Sequence, residues 1–333
     1  MRLNAIKHFF LFMLCMLIVS AGYAQPPKQY KVLVVMSYEI TFAWEQQIRE
    51  GIETILGESC DIKYVYMNTK TDPDGAAQAA REAYDLYTRW QPDGVIAADD
   101  YAQSAFVVPY LRDKVKTPVV FCGVNNKASN YGYPASNVTG ITERLNMKET
   151  IAFAKQLIPS FEKIAFMAKK SVSADLMFEQ FQEEENEYMA TPVAYEQPET
   201  LAQAVSVAQQ LRDRADVLFI GTVSGLLDEN GKPVEEKDSI PRISAAFGKP
   251  TVVDTIDRLY YGALCAVVQL GQEQGATAAE MLLRAMHGTP VPEIPITRNY
   301  YGKRAINVAT AKKLGITLKP MLLRGVELIR NTE

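Results

Sequence analysis

Residues 93–126 read DGVIAADDYAQSAFVVPYLRDKVKTPVVFCGVNN, and the fold class can be inferred from their pattern. Two short apolar runs, Gly94–Ala98 and Pro118–Cys122, flank the helical pattern of Tyr101–Arg112. Such short, nearly continuous apolar runs are typical of strands in a parallel sheet that is covered on both faces. Polar residues follow each run at once, and ligands of open α/β sheets bind just beyond the carboxyl ends of the strands. The stretch therefore predicts a strand–helix–strand unit with a ligand site at its end.

The same alternation of strands and helices occurs in both halves of the chain. The first half has strand patterns at Lys31–Met36, Ile62–Tyr66, Gly94–Ala98 and Pro118–Cys122. The second half has them at Lys163–Ala168, Thr191–Tyr195, Val217–Gly221 and Pro250–Val253. Helical patterns lie between these strands, which predicts parallel sheets with right-handed crossovers. We therefore predict an α/β protein with two doubly wound parallel-sheet lobes joined by a hinge.

Two segments interrupt this alternation and set the predicted lobe boundaries. Residues 138–143 form a short extended run that joins the halves, and residues 263–287 read as a long alanine-rich helical region. We expect the N-terminal lobe to contain residues 31–140 and about 256–292. The C-terminal lobe is expected to contain residues 141–255 and about 293–330.

The first 24 residues have the pattern of a secretory signal peptide. Arg2, Lys7 and His8 form a basic region, an uncharged apolar run covers Phe9–Val19, and small residues precede a cleavage site after Ala24. The apolar run is too short to anchor the chain stably in a bilayer. We therefore expect an exported, periplasmic protein from which this segment is removed.

The composition limits the partners of the chain. A formal net charge of −4 does not indicate the positively charged surface that binds nucleic acid or anionic lipid, so we expect no nucleic-acid partner. Nothing in the pattern demands a second chain, and a monomer is expected. Beyond the signal pattern, Cys60, Cys122 and Cys265 allow at most one disulfide, and the last two lie in apolar runs typical of buried thiols.

The inventory of catalytic side chains is small. Beyond the signal pattern the chain has one histidine, His287, at the end of a helical stretch where a cation complements the helix dipole. The sequence has no spacing typical of a zinc site, a phosphate-binding loop or a serine nucleophile. We therefore expect no catalytic residue, no metal and no cofactor, and the sequence favours binding over catalysis.

The candidate ligand-binding residues are polar and aromatic side chains at the predicted strand ends. They are Ser37, Tyr38, Asp99, Asp100, Tyr101, Asn125 and Asn126 in the first lobe, and Ser171, Thr222, Asp254 and Tyr260 in the second. Asp100 with Gln103 has the spacing of a capping box, so Asp100 is also expected to cap the helix that begins at Tyr101. Asp99 is then the better candidate for pairing with a ligand ammonium group. The free N–H groups at that helix start are an alternative site for a ligand carboxylate.

Several segments of the chain resemble a known family. They are Ser37–Tyr38, VIAADDYAQSAFVVPYL (95–111), VVFCGVN (119–125), SNVTGI (136–141), DENGKPV (228–234), YGALCAVVQLGQEQGATAAEMLLRAMHGTPVPEIPI (261–296) and INVATAKKLGI (306–316). From about Lys31 to about Leu323 the chain resembles ABC transporter solute-binding proteins of the type I periplasmic-binding fold. Within them it is similar to the family that includes tryptophan- and phenylalanine-binding members. Tyr101 departs from the small polar residue expected after the acidic pair, and this change is expected to reshape the pocket.

The resemblance implies that two lobes close on a small molecule and that a membrane permease recognises the closed form. Closure follows from binding because a ligand in the cleft touches both halves only when they are shut. The expected ligand is an amino acid, and an aromatic amino acid is a candidate. Carboxylates and helix N-termini suit the charged groups of a zwitterion, and its apolar side chain would be contacted by Tyr38, Tyr101, Tyr131 and Tyr260.

Two alternatives remain open at this point. One is a ligand receptor with the same fold that acts on a membrane sensor kinase instead of a permease. The other is an exported enzyme that uses paired carboxylates, for instance Asp99 and Asp254.

Overall fold

A computed structural model describes residues 30–330, apart from the side chains of Val172 and Ser173, so the predicted signal peptide lies outside the described residues. The first part of the chain alternates strands and helices. Its elements are β1 (Tyr30–Met36), α1 (Ala43–Leu56), β2 (Cys60–Tyr66), α2 (Ala76–Trp90), β3 (Gly94–Ala98), α3 (Asp99–Ala102), β4 (Val119–Val124) and β5 (Val138–Thr142).

The rest of the chain repeats this alternation and then returns to the first sheet. Its next elements are α4 (Met147–Leu157), β6 (Lys163–Met167), α5 (Val172–Glu184), β7 (Thr191–Glu196), α6 (Leu201–Leu211), β8 (Val217–Ile220), β9 (Leu226–Leu227), β10 (Pro233–Val234), α7 (Glu236–Phe247), β11 (Thr251–Val252) and α8 (Ile256–Tyr260). The last elements are β12 (Cys265–Val268), α9 (Gly271–Met286), β13 (Thr297–Arg298), β14 (Lys303–Asn307), α10 (Val308–Lys313) and β15 (Glu327–Ile329).

The first lobe is built on a six-stranded sheet in the order β13-β5-β4-β3-β1-β2, in which every pairing is parallel. Successive residues of β1 point to opposite faces and both sets are fully buried. Val32 and Val34 pack in one core cluster, and Leu33 and Val35 pack in the other. Both faces of the sheet are therefore covered, as the continuous apolar runs predicted.

The second lobe is built on a seven-stranded sheet in the order β15-β14-β12-β11-β8-β6-β7. Its pairings are parallel except for the antiparallel pair of β12 and β14. Phe166 and Phe219 lie in the cluster on one face, and Leu218 and Ile220 lie in the cluster on the other. The predicted α/β class with two mostly parallel sheets is thus confirmed.

The region after Asp254 differs from the expected long helix. Cys265–Val268 is a strand of the second sheet, where Val252 pairs with Cys265 on one side and Ile306 pairs with Cys265 on the other. The run Cys-Ala-Val-Val is apolar and its first three residues are buried, and it forms backbone hydrogen bonds in the sheet before α9 begins at Gly271. Residues 256–268 therefore lie with the second sheet and not, as expected from the sequence, in the N-terminal lobe. Residues 138–142, expected to join the lobes, form β5 inside the first sheet.

Within residues 30–330 the chain crosses between the sheets three times, after β5, after β12 and after β13. Asn299, which is fully buried, forms hydrogen bonds between two of these crossings. Its Nδ2 donates to Arg144 O at 3.0 Å and to Asn146 Oδ1 at 2.8 Å, and its Oδ1 accepts from Arg144 N at 2.8 Å. Gln274, in the first turn of α9 and so in the crossing that follows β12, donates to Thr142 O at 3.3 Å. The hinge is therefore a hydrogen-bonded unit of three segments.

Helix α9 returns to the first lobe and packs against α1 and the first sheet. A methyl group at Gly275 would lie 2.0 Å from Ile48 O, so the two helix backbones approach more closely than any other residue allows. His287 follows the last residue of α9, as expected, and its ring lies 5.7 Å from that of Tyr30.

Helix α3 continues as a π-helix over Gln103–Leu111, where the sequence predicted an α-helix over Tyr101–Arg112. Pro109 lies inside this segment and has no N–H to donate to the preceding turn. The wider turn ends with Arg112 N donating to Val107 O at 2.9 Å, five residues back.

Two further findings concern groups outside the sheets. In the described part of the chain no helix is long and apolar enough to cross a membrane. The thiols of Cys60, Cys122 and Cys265 are buried and unpaired within residues 30–330, and burial raises the pKa of each.

Candidate functional site

The carboxyl ends of β1, β3 and β4 meet at one edge of the first sheet, because the three strands are parallel neighbours. The structure therefore brings together the predicted residues that follow these strands. They are Ser37, Tyr38, Asp99, Asp100, Tyr101, Asn125 and Asn126.

Asp100 holds the loop after β4 at this edge. Its carboxylate accepts hydrogen bonds from Asn125 N at 3.1 Å, from Asn126 N at 3.3 Å and Nδ2 at 3.2 Å, and from the Tyr131 hydroxyl at 2.6 Å. The predicted capping role of Asp100 is wrong, because the helix begins one residue before it and its carboxylate is turned to the neighbouring loop. Burial, followed by the hydrogen bond to Asp100, raises the pKa of Tyr131.

Ser37 supplies the contact at the helix start that the sequence assigned to Asp100. Its Oγ donates to Ala98 O at 2.6 Å and accepts from Ala102 N at 2.9 Å, and the residue is fully buried. Gln103 donates to Ala97 O at 2.9 Å and to Asp99 O at 3.0 Å instead of completing a capping box. The Ser37 hydroxyl is thus occupied within the first lobe.

Asp99 is buried, with 1% of its surface exposed, and has a left-handed backbone with φ of 65°. Its Oδ1 accepts from Trp44 Nε1 at 3.0 Å. Gly123, also at positive φ, leaves room for this carboxylate, since a methyl group there would lie 2.7 Å from Asp99 Oδ1. Asp99 therefore packs under Trp44 inside the lobe.

A second buried carboxyl group, Glu45, contacts Asp99. Glu45 is 1% exposed, and its Oε1 accepts from Tyr38 N at 2.8 Å. Burial raises the pKa of Glu45 to about 7, although the Tyr38 N–H and the contact with Asp99 lower it. Burial, followed by the charges of Glu45 and Glu143, holds the pKa of Asp99 well above its usual range. The remaining oxygens, Glu45 Oε2 and Asp99 Oδ2, have no hydrogen-bond partner in the described chain, so the pair retains a proton at neutral pH.

Tyr38 covers this pair from the loop after β1. Its ring is half-buried and stands edge-on to Phe42 at 5.4 Å, and Lys70 Nζ lies 4.4 Å from the Tyr38 ring centroid. Burial, followed by the charges of Asp99 and Asp100, raises the pKa of the Tyr38 hydroxyl. The half-buried ring of Tyr101 packs at the edge of the core of the first lobe.

The second lobe places its four predicted residues differently. Ser171 is the N-cap of α5, accepting from Ala174 N at 3.2 Å, and Tyr260 lies at the end of α8 with half of its surface exposed. Thr222 follows β8, and Asp254 follows β11. Of these four, Thr222 and Asp254 lie on the side that faces the first lobe.

Asp254 belongs to a buried ion-pair group. Arg258 NH1 donates to Asp254 Oδ1, and Arg258 Nε donates to Glu236 Oε2 at 2.9 Å. Burial opposes the charge of Arg258, but the two carboxylates raise its pKa above the ordinary value. Glu236 Oε1 accepts from Val223 N at 2.9 Å and from Ser224 N at 3.1 Å, so the group also fixes the loop that carries Thr222.

A cavity of about 330 Å³ lies between the two lobes. Its lining residues come from both sides: Asn125, Lys127, Glu143, Arg144, Leu145, Leu176, Met177, Glu179, Gln180, Thr222 and Asp254. Two other cavities, of about 700 and 470 Å³, are lined by residues of the second lobe alone. Of these three cavities, the one between the lobes is lined by residues of both, so a molecule bound there would touch both halves, and we call it the interlobe cavity.

Three of the predicted residues, Asn125, Thr222 and Asp254, line the interlobe cavity. The other predicted residues lie outside its lining, and the reasoning from strand ends missed most of the side chains that form it. One signal was available: Glu143 and Arg144 come directly after the run VTGIT of β5, so they too follow a strand of the first sheet.

Ion pairs join the lobes beside the cavity. Lys127 Nζ of the first lobe lies 2.8 Å from Glu179 Oε2 and 3.6 Å from Glu183 Oε1 on α5 of the second. Arg144, at the hinge, also pairs with Glu183. Within the described residues no group of three or more histidine, cysteine, aspartate or glutamate side chains has the arrangement to hold a metal ion.

The model of the family of ABC transporter substrate binding proteins matches residues 31–327 of this chain. The chain belongs to this family. As a substrate-binding protein of an ABC transporter, it binds a small molecule and serves a permease in the membrane. Proteins of this kind act outside the cytoplasm, and the family is one of binding proteins rather than enzymes.

Solved structures of low sequence identity share the fold of this substrate-binding protein. The ligand-free, open structure of a substrate binding protein with adhesive properties from Clostridium difficile is 16% identical, with a TM-score of 0.69 over 91% of this chain and 100% of that one. An ABC domain from Streptococcus pneumonia in complex with L-Trp is 17% identical, with a TM-score of 0.54 over 91% and 100%. A conserved domain protein from Vibrio cholerae is 18% identical, with a TM-score of 0.53 over 90% and 99%. A search of curated protein sequences found no match.

Proposed function

We propose that this substrate-binding protein works in the periplasm, where it closes its two lobes on an amino acid and presents it to an ABC permease. The interlobe cavity carries the proposal, because its lining combines side chains of both lobes. A ligand there gains contacts with both halves only when they approach each other, which couples binding to closure.

The chemistry of the lining supports an amino acid. Glu143 and Asp254 offer carboxylates to an ammonium group, and Lys127 and Arg144, although paired with Glu179 and Glu183, keep further N–H donors for a carboxylate. Leu145, Leu176 and Met177 offer an apolar surface to a side chain. The solved structure of similar fold that contains L-Trp supports the same ligand class.

The aromatic wall expected from Tyr38, Tyr101, Tyr131 and Tyr260 is not among the residues that line the cavity. The apolar part of the lining consists of two leucines and the thioether of Met177 instead. Methionine side chains adapt to ligands of different shape, so aliphatic and aromatic amino acids both belong in the first screen.

The test is native mass spectrometry of the chain from Gln25 onward, purified from its producing host, followed by a thermal-shift screen against the amino acids. We expect one equivalent of a small molecule that is released on denaturation and raises the melting temperature when it is added back. A bound sugar or inorganic anion would contradict the amino-acid assignment and leave solute binding intact. A product formed from the added compound would contradict a pure binding role. In the same experiment, the mass of the native protein shows whether it is the expected monomer.

A further inference from the structure

The charged groups of the interlobe cavity are unequally paired. Lys127 is neutralised by Glu179 and Glu183, and Arg144 is neutralised by Glu183. Asp254 is paired with Arg258. Glu143 lines the same cavity and forms no ion pair with any residue that the structure describes.

The contacts of Glu143 leave one carboxylate oxygen available. Its Oε2 accepts from Asn125 Nδ2 at 3.1 Å, and its backbone N donates to Val124 O at 2.8 Å, which fixes the residue at the end of β5. Its Oε1 has no hydrogen bond with the described chain. Burial raises the pKa of Glu143 to about 7; the hydrogen bond from Asn125 opposes this, and the charge of Asp100 adds to it.

The field around Glu143 is negative on the side of the first lobe. The charge of Asp100 raises the pKa of Glu143, and the buried Glu45–Asp99 pair of the same lobe lies close enough for Glu143 to raise the pKa of Asp99. Across the cavity, Asp254 Oδ2 and the Thr222 hydroxyl form no hydrogen bond within residues 30–330. The groups left for a ligand are therefore mainly hydrogen-bond acceptors, two of them carboxylates.

An apolar surface completes the cavity. Leu176 and Met177 lie in the first turns of α5, and Leu176 has 40% of its surface exposed although it is a large apolar side chain. The apolar part of a ligand would cover the exposed surface of Leu176, and removing this apolar area from water would favour binding.

We propose that Glu143 is the specificity-determining residue of this cavity and that it selects solutes carrying an ammonium group, whose apolar part packs on Leu176 and Met177. The inference rests on the proposed function and deepens it by naming the ligand group and its partner. An ammonium ion donates up to three hydrogen bonds and compensates the unpaired carboxylate, which a neutral hydroxyl does only in part.

The test is isothermal titration calorimetry with matched probe pairs, each an amino acid and the carboxylic acid that lacks its amino group, such as L-methionine with 4-(methylthio)butanoate and L-phenylalanine with 3-phenylpropanoate. Simple alkylamines and glucose complete the panel. We expect binding of at least one probe with an amino group and no binding of its partner without one. E143Q should weaken that binding about ten- to a hundredfold, the range for a hydrogen bond to a charged group.

The pH dependence separates a direct role from a structural one. An ammonium ligand needs the ionised carboxylate, so the affinity of the wild-type protein should rise by up to about tenfold from pH 6 to pH 8, as Glu143 loses its proton. This slope should be absent in E143Q and retained in E143D. The control E82Q removes an exposed glutamate on α2 and should behave as wild type.

Each remaining outcome has a definite meaning. If E143Q binds an amino acid as tightly as the wild type, or if the probe without an amino group binds equally well, the role of Glu143 is contradicted while the proposed function stands. If the folded wild-type protein binds only glucose or binds none of the amines, both the role of Glu143 and the amino-acid assignment are contradicted.

Discussion

Lys127 Nζ lies 2.8 Å from Glu179 Oε2, and this ion pair joins the first lobe to helix α5 of the second beside the interlobe cavity. Both side chains are about half-exposed, so water and salt screen the pair. The contact exists only while the lobes are close, and it contributes to the balance between closed and open forms.

Replacing Lys127 should therefore shift the lobes toward an open arrangement. An exposed ion pair contributes roughly 0.2–1 kcal/mol, so K127M should lower the ratio of closed to open molecules by up to about fivefold. Single-molecule fluorescence transfer between one dye in each lobe measures this ratio, and 1 M salt should reproduce much of the effect in the wild type. K170M removes a similar pair with Glu199 that lies wholly in the second lobe, and it should leave the ratio unchanged. An equal shift in both variants would contradict the assignment.

The Glu45–Asp99 pair should make the protein less stable as the pH rises. Burial raises the pKa of Glu45 to about 7 and also raises that of Asp99. The folded state therefore holds protons that the unfolded state releases near pH 4. The free energy of unfolding should therefore fall from about pH 4 upward, by roughly 2–3 kcal/mol once the pH has passed 7. Urea titrations at pH 5, 6, 7 and 8 measure it.

The variant D99N tests this assignment. Its amide can donate to Glu45 and still accept from Trp44, so the dependence on pH should become shallower. D85N, which removes an exposed carboxylate on α2, should keep the wild-type slope. A slope that is unchanged in D99N would show that other groups cause it.

Arg258 should be essential for the stability of the second lobe. It is 7% exposed and lies between Asp254 and Glu236, so R258M would leave two carboxylates buried without their counter-ion. Removing one partner of a buried ion pair costs about 3–5 kcal/mol. Guanidinium denaturation should show this loss in R258M and less than about 0.5 kcal/mol in R242M, which removes an exposed arginine of α7. A loss in R258M below 1 kcal/mol would mean that the carboxylates find other partners.

The contact between α1 and α9 should not tolerate a side chain at Gly275. The methyl group of G275A would lie 2.0 Å from Ile48 O, which forces the helices apart. Overpacking costs about 1–3 kcal/mol, and the higher helix propensity of alanine returns about 1 kcal/mol of this. Thermal unfolding should therefore show a lower melting temperature for G275A, whereas E280A on the exposed face of α9 should leave it near the wild-type value. A melting temperature of G275A above that of the wild type would refute the close contact.

The sequence predicted those elements well that can be recognised from their own residues alone. The continuous apolar runs of β3 and β4 indicate buried parallel strands, and both are found within two residues of their predicted positions. The strand Cys265–Val268 was missed because its four residues precede a long alanine-rich helix, and only its pairing with Val252 and Ile306 distinguishes it from a helical turn.

The site was predicted less completely, for a physical reason. Strand ends can be read from the chain, and they led to Asn125, Thr222 and Asp254, which do line the cavity. Whether a side chain at a strand end points into the cleft depends on its backbone angle, as Asp99 shows with its left-handed φ and its contact with Trp44. Lys127, Glu179 and Gln180 line the cavity because two lobes meet there, and this meeting has no local pattern in the sequence.

The three crossings of the chain have a consequence for biosynthesis. The face of the first sheet that packs under Ala278 and Leu282 is covered by α9, so a nascent chain released only as far as β12 exposes that face to water. The second sheet is in turn completed by β14 and β15, close to the end of the described chain. The first lobe is completed only by β13 and the second only by β15, so a chain truncated between β12 and α9 would contain two unfinished cores and no finished lobe.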